Sequence, residues 1–262
     1  MNKLLEIAIK AAVAAGSEIM AIYSKDFQIS LKSDHSPLTD ADEKANEVIN
    51  AILKNTGIPL ISEENKQIDF EDRKNFDSCW MVDPLDGTKE FVKRNGEFTV
   101  NIALITNKRP VLGVIYVPVT RTLYFAFVAD GKGYKIELEK HFFSAAMMQE
   151  AQLLVPSLPV ENDFIVVASR SHLNIETELY IADLEQAGKK VFLISSGSSL
   201  KFCLLAEGKA NIYPRFAPTM EWDTAAGHAI CNAVGLKVMQ CDLDQELEYN
   251  KKNLLNPSFI VS

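Results

Sequence analysis

The segment Asp83-Pro84-Leu85-Asp86-Gly87-Thr88 places two carboxylates and a hydroxyl at the end of the apolar run Cys79–Val82. Two acids crowded at the open end of a buried strand repel each other unless a cation lies between them. Pro84 stiffens the turn, and Gly87 lets a ligand approach the backbone closely. A short helix beginning near Thr88 would turn free N–H groups toward a phosphate. Taken alone, the segment is also compatible with an acidic surface turn. Other acids stand at comparable places. Glu63 and Glu64 follow the apolar Leu60-Ile61, Asp40 and Asp42 flank the start of a helical pattern, and Asp223 precedes the small-residue run Thr224-Ala225-Ala226-Gly227. All these donors are oxygens, with no His or Cys among them, which suits Mg²⁺ or Mn²⁺ and argues against zinc. Carboxylates from three segments converging on one place would make a multi-metal site, with ions roughly 3.5–4 Å apart clamping a phosphoryl group in line. By itself Asp223 reads equally well as a helix N-cap.

The elements that must position these groups are legible from periodicity. Residues 3–24 carry Leu4, Leu5, Ala8, Ala11, Ala12, Ala15, Ile19 and Ile22 on one face, a long helix whose Glu6, Lys10 and Glu18 argue against a signal peptide. Phe27 to Lys32 alternates as a half-buried strand does, and Thr39 or Asp40 caps a second helix with Ala45, Val48, Ile49 and Ile52 inward. Residues 65–78 read as a polar loop. Strands follow at 79–82, 98–106, 111–116 and 122–128, with turns at 107–110, at 118–120 and around Gly131 and Gly133. Residues 140–162 match no clear pattern. After them strands at 164–168, 191–194, 210–213 and, last, 236–239 alternate with helices at 175–187, 199–206 and 223–233. The sequence thus predicts an α+β half over residues 1–150, holding most of the acidic candidates, and an α/β half over 151–262, holding Asp223.

Length and charge narrow the function classes. A chain of 262 residues that is 47% hydrophobic and 24% charged has the profile of an ordinary globular protein with ample core. Its formal charge of −8 argues against a nucleic-acid polymer as partner, while local cations can still hold a small anion. No apolar run reaches the roughly 20 residues a membrane-spanning helix needs. The four cysteines, Cys79, Cys203, Cys231 and Cys241, form no CxxC pair and read as reduced structural thiols.

Taken together, Asp83-Pro84-Leu85-Asp86-Gly87-Thr88 and Trp222-Asp223-Thr224-Ala225-Ala226-Gly227 resemble the paired signature of the inositol monophosphatase superfamily of Mg²⁺-dependent, lithium-sensitive phosphomonoesterases. Ser62-Glu63-Glu64 and Ser36-Pro37-Leu38-Thr39…Asp42 resemble its two other active-site stretches, in the expected order. The branch most similar is the bacterial 3′(2′),5′-bisphosphate nucleotidases. Its marks are Lys89-Glu90-Phe91, Lys93-Arg94-Asn95-Gly96-Glu97-Phe98-Thr99-Val100-Asn101, Gly197-Ser198-Ser199-Leu200-Lys201-Phe202-Cys203, Tyr213-Pro214-Arg215-Phe216 and Leu255-Asn256-Pro257. His35 and Leu38 depart from that branch's common pattern without removing a ligand. The resemblance spans essentially the whole chain.

What the resemblance implies is specific. The fold would be a layered α-β-α-β-α sandwich. Glu63, Asp83 and the Leu85 carbonyl would hold one Mg²⁺, and Asp83, Asp86 and Asp223 a second, with a third, weaker ion near Glu63 through water. Asp42 and Thr88 would relay the proton of a metal-activated water that attacks phosphorus directly. Glu63, Leu85, Asp86, Gly87, Thr88 and Asp223 would also face the substrate. Ser198, Lys201 and Arg215 would meet the nucleotide, especially its non-reacting 5′-phosphate, the lesser alternative for Lys201 and Arg215 being solvated charges on a helix and a loop. His172 would contact base or ribose, or be an ordinary histidine. Lys93 and Arg94 would draw in substrate or only balance charge. The implied reaction converts adenosine 3′,5′-bisphosphate to AMP and phosphate in the cytoplasm, clearing a by-product of sulfate assimilation. Peripheral association with the inner membrane is left open, without a basic surface to support it, as is the choice between monomer and homodimer.

Three rivals remain on sequence grounds. Inositol monophosphate or fructose 1,6-bisphosphate would use the same metal motifs. A haloacid-dehalogenase-type aspartyl nucleophile would need its two aspartates closer together than Asp83 and Asp86. A silent cation- or nucleotide-binding relative would keep the fold without turnover.

Overall fold

The computed structural model describes residues 2–25, 29–31, 37–159, 163–169 and 174–262. Helix α1 (Lys3–Tyr23) starts where Asn2 accepts the Leu4 N–H at 2.8 Å, and it buries Leu5, Ala8, Ile9, Ala12, Ala15 and Ile19. Strands β1 (Ile29–Leu31) and β2 (Pro37–Thr39) pair antiparallel. The rest of the expected strand 27–32 lies outside the described residues. Helix α2 (Asp40–Leu53) follows, capped by Thr39.

A seven-stranded sheet comes next: β3 (Leu60–Ser62), β4 (Ser78–Asp86), β5 (Thr99–Thr106), β6 (Arg109–Val117), β7 (Thr122–Phe127), β8 (Lys132–Glu137) and β9 (Gln152–Leu153), side by side in chain order. Only β3 and β4 run parallel; the other pairs are antiparallel, as a chain of hairpins requires. Two short helices interrupt it, α3 (Phe70–Arg73) inside the segment read as loop, and α4 (Thr88–Val92). The β5–β6 turn is narrower than the sequence suggested. Asn107 and Lys108 take φ values of 49° and 62°, the pair a tight hairpin demands, and Arg109 and Pro110 already belong to β6. Likewise Gly131 turns the chain while Gly133 lies within β8.

The second half builds β10 (Asp163–Ser169), α5 (Ile175–Gln186), β11 (Lys190–Ser196), α6 (Leu200–Ala206), β12 (Tyr213–Arg215), α7 (Glu221–Ala233), β13 (Val238–Gln240) and β14 (Phe259–Val261). Strands β10 and β11 are parallel, a parallel bridge at Val166–Ile212 joins them to the chain entering β12, and β14 lies antiparallel between β12 and β13. Two expectations are corrected. The strand read at 210–213 is regular only from Tyr213, and 236–239 is not the last strand: three residues sufficed for β14, too short for periodicity to reveal.

One core lies between the large sheet and α1 and α2, with Ile9, Ile49, Trp80 and Phe125. The other face of that sheet, with Met81 and Ile115, packs on Ala226 and Ile230 of α7, and the same core continues through Phe202 to Phe259 of the second sheet. Helix α5 covers the far side, against β11 and β12. The layers are therefore α-β-α-β-α, as the resemblance implied. At Gly113 of β6 the helix α7 comes so near that a Cβ would collide with the Ala226 carbonyl. This contact fixes the height of Asp223, in the first turn of α7, over the sheet.

Candidate active site

Each acidic candidate is presented by an element end, and the sheet register brings the ends together. Because β3 runs parallel to β4, Glu63 leaves the sheet on the side where Asp83 emerges, and the Glu63 N–H donates to the Val82 carbonyl at 3.1 Å. The turn carrying Glu63 is tied to α2: Ser62 Oγ donates to Asn46 Oδ1 at 2.8 Å, and Asn46 Nδ2 donates to Asn65 Oδ1 at 2.8 Å. On β4 the register with β5 shifts between Asp83 and Asp86, a bulge that re-aims the side chains. Asp83 is buried, and its Oδ1 accepts the Leu85 N–H at 3.1 Å. Asp223 Oδ2 accepts the Met220 N–H at 2.9 Å, so the helix-start role foreseen for it occupies one oxygen.

Glu63, Asp83 and Asp223 each put one oxygen within 4.8 Å of the others. Burial, with the negative charges of Asp86 and Glu63 added, pushes the Asp223 carboxyl well above the usual carboxylate range. Carboxylate oxygens gathered at this spacing, in a site that penalises their charge, are the donor set of a hard divalent cation, and a cation removes the repulsion. The residues present fit such an ion. Asp40 is exposed on α2, and Glu64 does not line the cavity described below.

Asp42 and Thr88 meet as expected. Asp42, buried in the first turn of α2, takes the Thr39 N–H and Thr39 Oγ1 on Oδ2, both at 2.7 Å. Its Oδ1 lies 3.2 Å from Thr88 Oγ1, which is 3.4 Å from the Leu85 carbonyl. Gly87 (φ 94°) precedes Thr88, and only a residue without Cβ takes that backbone easily while passing under the Glu97 carbonyl.

These groups line a cavity of about 370 Å³. Glu63, Asp83, Leu85, Asp86, Gly87, Thr88 and Asp223 form part of its wall, and Ser198, Lys201 and Arg215 another. The sequence matches the inositol monophosphatase family over residues 1–261. The chain belongs to that family. It is 44% identical, over 99% of both chains, to the 3′(2′),5′-bisphosphate nucleotidase CysQ of Salmonella typhimurium. It is 43% identical, with the same coverage, to the protein of that name from Escherichia coli K12. Its structure is similar to a crystal structure of CysQ from Bacteroides thetaiotaomicron, with TM-score 0.88, 54% identity, and coverage of 98% of this chain and 96% of that one. SuhB from Bartonella henselae, at TM-score 0.75 and 22% identity, shares the fold.

Within this family member the basic residues are placed unevenly. Lys201 is buried, and its Nζ donates to the Ser198 carbonyl and lies 3.4 Å from the Ser196 carbonyl. Burial pushes its pKa down to about 8, the nearby Arg215 adding to the effect and Asp86 opposing it. Its ammonium thus props the Ser196–Ser198 backbone at the cavity wall. Arg215 Nη2 donates to the Pro218 carbonyl at 3.1 Å, while its buried Nε meets no hydrogen-bond acceptor. Arg94 turns to α1, donating to the Tyr23 and Lys25 carbonyls at 2.6 Å each. His172, His35 and Ser36 lie outside the described residues. Sequence reasoning gave no role to Glu90, Tyr213 or Thr219, which line the cavity, or to Thr99 and Asn101 behind it. Thr99 and Asn101 fall in a stretch that carries the resemblance, yet nothing in their type or spacing says that they meet Asp86.

Proposed function

We propose that the chain is a Mg²⁺-dependent phosphomonoesterase that hydrolyses adenosine 3′,5′-bisphosphate to AMP and phosphate. The observation that carries this is the joining, in one cavity, of the Glu63–Asp83–Asp223 oxygen cluster with the Asp42–Thr88 contact. The nucleotide as substrate is supported by relatives of 44% and 54% identity that carry the name CysQ, the first named a 3′(2′),5′-bisphosphate nucleotidase. It is supported also by the Arg215 Nε, a buried donor that an anionic oxygen would satisfy.

Glu63, Asp83 and the Leu85 carbonyl would hold one ion, and Asp83, Asp86 and Asp223 a second. A third would sit near Glu63 through water. When bound, Mg²⁺ supplies positive charge that acidifies water and neutralises phosphoryl oxygens. The protein's own groups do the rest. Asp42 Oδ1 accepts the Thr88 hydroxyl proton, which turns the Thr88 oxygen into an acceptor for the proton of an attacking water. The water attacks phosphorus directly, without a phosphoenzyme. Gly87 leaves the backbone open to the phosphoryl group. Ser198, Lys201 and Arg215 would orient the nucleotide by its second phosphate, with His172 toward base or ribose. The catalytic groups come mainly from residues 1–150, and Asp223 and the nucleotide contacts from 151–262. A cytoplasmic location, and a monomer or homodimer, complete the reading.

The test is phosphate release from adenosine 3′,5′-bisphosphate, inositol 1-phosphate and fructose 1,6-bisphosphate, with and without Mg²⁺, for the unaltered chain and Asp83→Asn. A marked preference for the nucleotide, lost on metal removal and in the variant, is expected. A preference for inositol 1-phosphate would keep the metal site and refute the assignments of Ser198, Lys201 and Arg215. Turnover of none of them would refute the proposed reaction.

A further inference from the structure

Asp86 Oδ2 is surrounded by donors. Ser198 Oγ lies at 2.6 Å, Ser199 Oγ at 2.8 Å and Asn101 Nδ2 at 3.3 Å, the single Ser199 hydroxyl hydrogen being shared with the Asp223 carbonyl at 2.7 Å. Asn101 Nδ2 also donates to Ser199 Oγ at 2.9 Å. Behind it Thr99 Oγ1 donates to Asn101 Oδ1 at 2.9 Å and lies 2.6 Å from Ser198 Oγ. Thr99, Asn101 and Ser199 are almost wholly buried, at 0%, 1% and 2% exposure. The Asn101 amide has only one satisfactory orientation. Turned over, its oxygen would face the Asp86 carboxylate, and oxygen against oxygen is repulsive.

We propose that Thr99 and Asn101 are positioning residues that lock one oxygen of Asp86, so that the other faces the cation site in a fixed direction. The proposal rests on the reading of Asp86 as a metal ligand given above. Thr99 holds the Asn101 carbonyl oxygen, so that the amide hydrogens point to Asp86 and Ser199. With its one hydrogen given to Asn101, the Thr99 hydroxyl can only accept from Ser198, whose single hydrogen is shared between Thr99 and Asp86; the φ of 51° at Ser198 is unusual for a residue other than glycine. The β5 strand of the large sheet thereby sets the loop before α6, and two walls of the cavity share one hydrogen-bonded unit. A carboxylate with one oxygen saturated binds an ion through its other oxygen alone, and loss of such outer partners typically weakens metal binding 10–100-fold.

The experiment counts bound Mn²⁺ by electron paramagnetic resonance in the full chain, alongside the Mg²⁺ concentration that gives half-maximal phosphate release from adenosine 3′,5′-bisphosphate. Thr99→Val keeps shape and removes the hydroxyl, Thr99→Ser restores it, and Asn101→Leu removes the amide at similar volume. Thr99→Val and Asn101→Leu should each raise the Mn²⁺ dissociation constant and the Mg²⁺ requirement about 10–100-fold. Thr99→Ser should return both to the original values. Thr99→Val leaves the buried Asn101 oxygen without its donor, so its metal-free melting temperature should fall by a few degrees and Thr99→Ser should recover it. Unchanged Mn²⁺ affinity in Thr99→Val and Asn101→Leu, with affinity lost in Asp86→Asn, would overturn this inference alone. So would a Thr99→Ser variant as weak as Thr99→Val. If the unaltered chain took up no Mn²⁺, or Asp86→Asn bound it normally, the metal reading of Asp86 would fall and this inference with it.

Discussion

Replacing Gly113 by alanine tests how the second half of the chain is held over the sheet. An added Cβ would collide with the Ala226 carbonyl and would lie 2.8 Å from the Ala229 Cβ and 3.1 Å from the Ala226 carbonyl carbon. Carbon atoms settle at about 3.5–4.0 Å, so α7 must retreat from β6 by roughly 1 Å. Neither side can yield by rotating a side chain, because the groups in collision are backbone and Cβ atoms. Overpacking of this kind costs about 1–3 kcal/mol. For a chain of this size each kcal/mol lowers the melting temperature by about 2–4 °C, so a fall of roughly 2–12 °C is expected. The same displacement moves Asp223, three residues before Ala226, relative to Glu63 and Asp83. A misplacement of about 1 Å at a reacting centre can lower the rate roughly 100-fold. Calorimetry and phosphate release on one preparation check both effects. A Gly113→Ala protein with unchanged melting temperature and unchanged turnover would refute the claim that this contact sets the helix. A lowered melting temperature with unchanged Mg²⁺ requirement and turnover would refute the link from the contact to Asp223.

Thr88→Val should leave the fold intact and lower kcat about 100- to 10,000-fold, with Thr88→Ser recovering most of it; equal losses in both variants would argue against a proton relay through the hydroxyl. Asp42→Asn keeps an acceptor for the Thr39 N–H, so its loss should appear in kcat far more than in melting temperature, measured by steady-state kinetics and thermal unfolding. Arg94→Ala removes both hydrogen bonds to the end of α1 and should lower stability by about 1 kcal/mol without changing KM; a raised KM that depends on salt would show instead that Arg94 draws in substrate. His228 is buried, with Nε2 2.9 Å from Glu246 Oε2 and Nδ1 3.0 Å from Tyr249 Oη. Burial pushes its pKa down despite the pull of Glu246, and Glu246 is itself held below the usual carboxylate range, chiefly by its hydrogen bond to His228. Both groups therefore bind protons more readily in the unfolded chain. The His228 contribution is complete above about pH 6.5 and is lost as pH falls, and the Glu246 contribution follows below about pH 4.3. The melting temperature should drop between pH 7 and 5, and His228→Gln should flatten that drop; an equal slope in the variant would contradict it.

Helices with long amphipathic patterns and strands with clear turn chemistry were legible in the sequence, down to a cap at Thr39 or Asp40, while the order of layers came from the family resemblance alone. The misses share a cause. β14 and α3 are three and four residues long, below the length at which a period can be counted, and they exist because neighbouring elements supply their hydrogen bonds. The carboxylates were legible because burying unpaired acid is costly, which makes acid after an apolar strand conspicuous. Thr99 and Asn101 were not, because threonine and asparagine at alternate positions of a strand are unremarkable until the register sets Thr99 opposite Asp86 and Asn101 opposite Asp83. Lys201 was legible as a residue of the site but not in its geometry. The resemblance set it toward the nucleotide; what no motif shows is that it is buried and that its ammonium also donates to the carbonyl of Ser198.

The two readings that compete for such residues in the sequence, helix cap or metal ligand, are not alternatives in the structure. A carboxylate has two oxygens. In Asp42, Oδ2 closes the first turn of α2 while Oδ1 faces Thr88. Asp223 Oδ2 accepts the Met220 N–H and Asp83 Oδ1 accepts the Leu85 N–H, and each side chain places an oxygen in the acidic cluster. Asp86 Oδ2 stands as acceptor to the hydroxyls of Ser198 and Ser199. In Asp42, Asp83 and Asp223 a hydrogen bond from within three residues holds the carboxyl plane before any ion arrives, while Asp86 is held by residues from the other half of the chain. Without that bond a carboxylate repelled by its neighbours would rotate toward solvent, and a binding ion would have to oppose both the rotation and its entropy. Local backbone chemistry, which is encoded within a few residues, thus preorganises a site whose members lie far apart in the chain. The helix-capping pattern around Asp42 and Asp223 is therefore part of the site's construction.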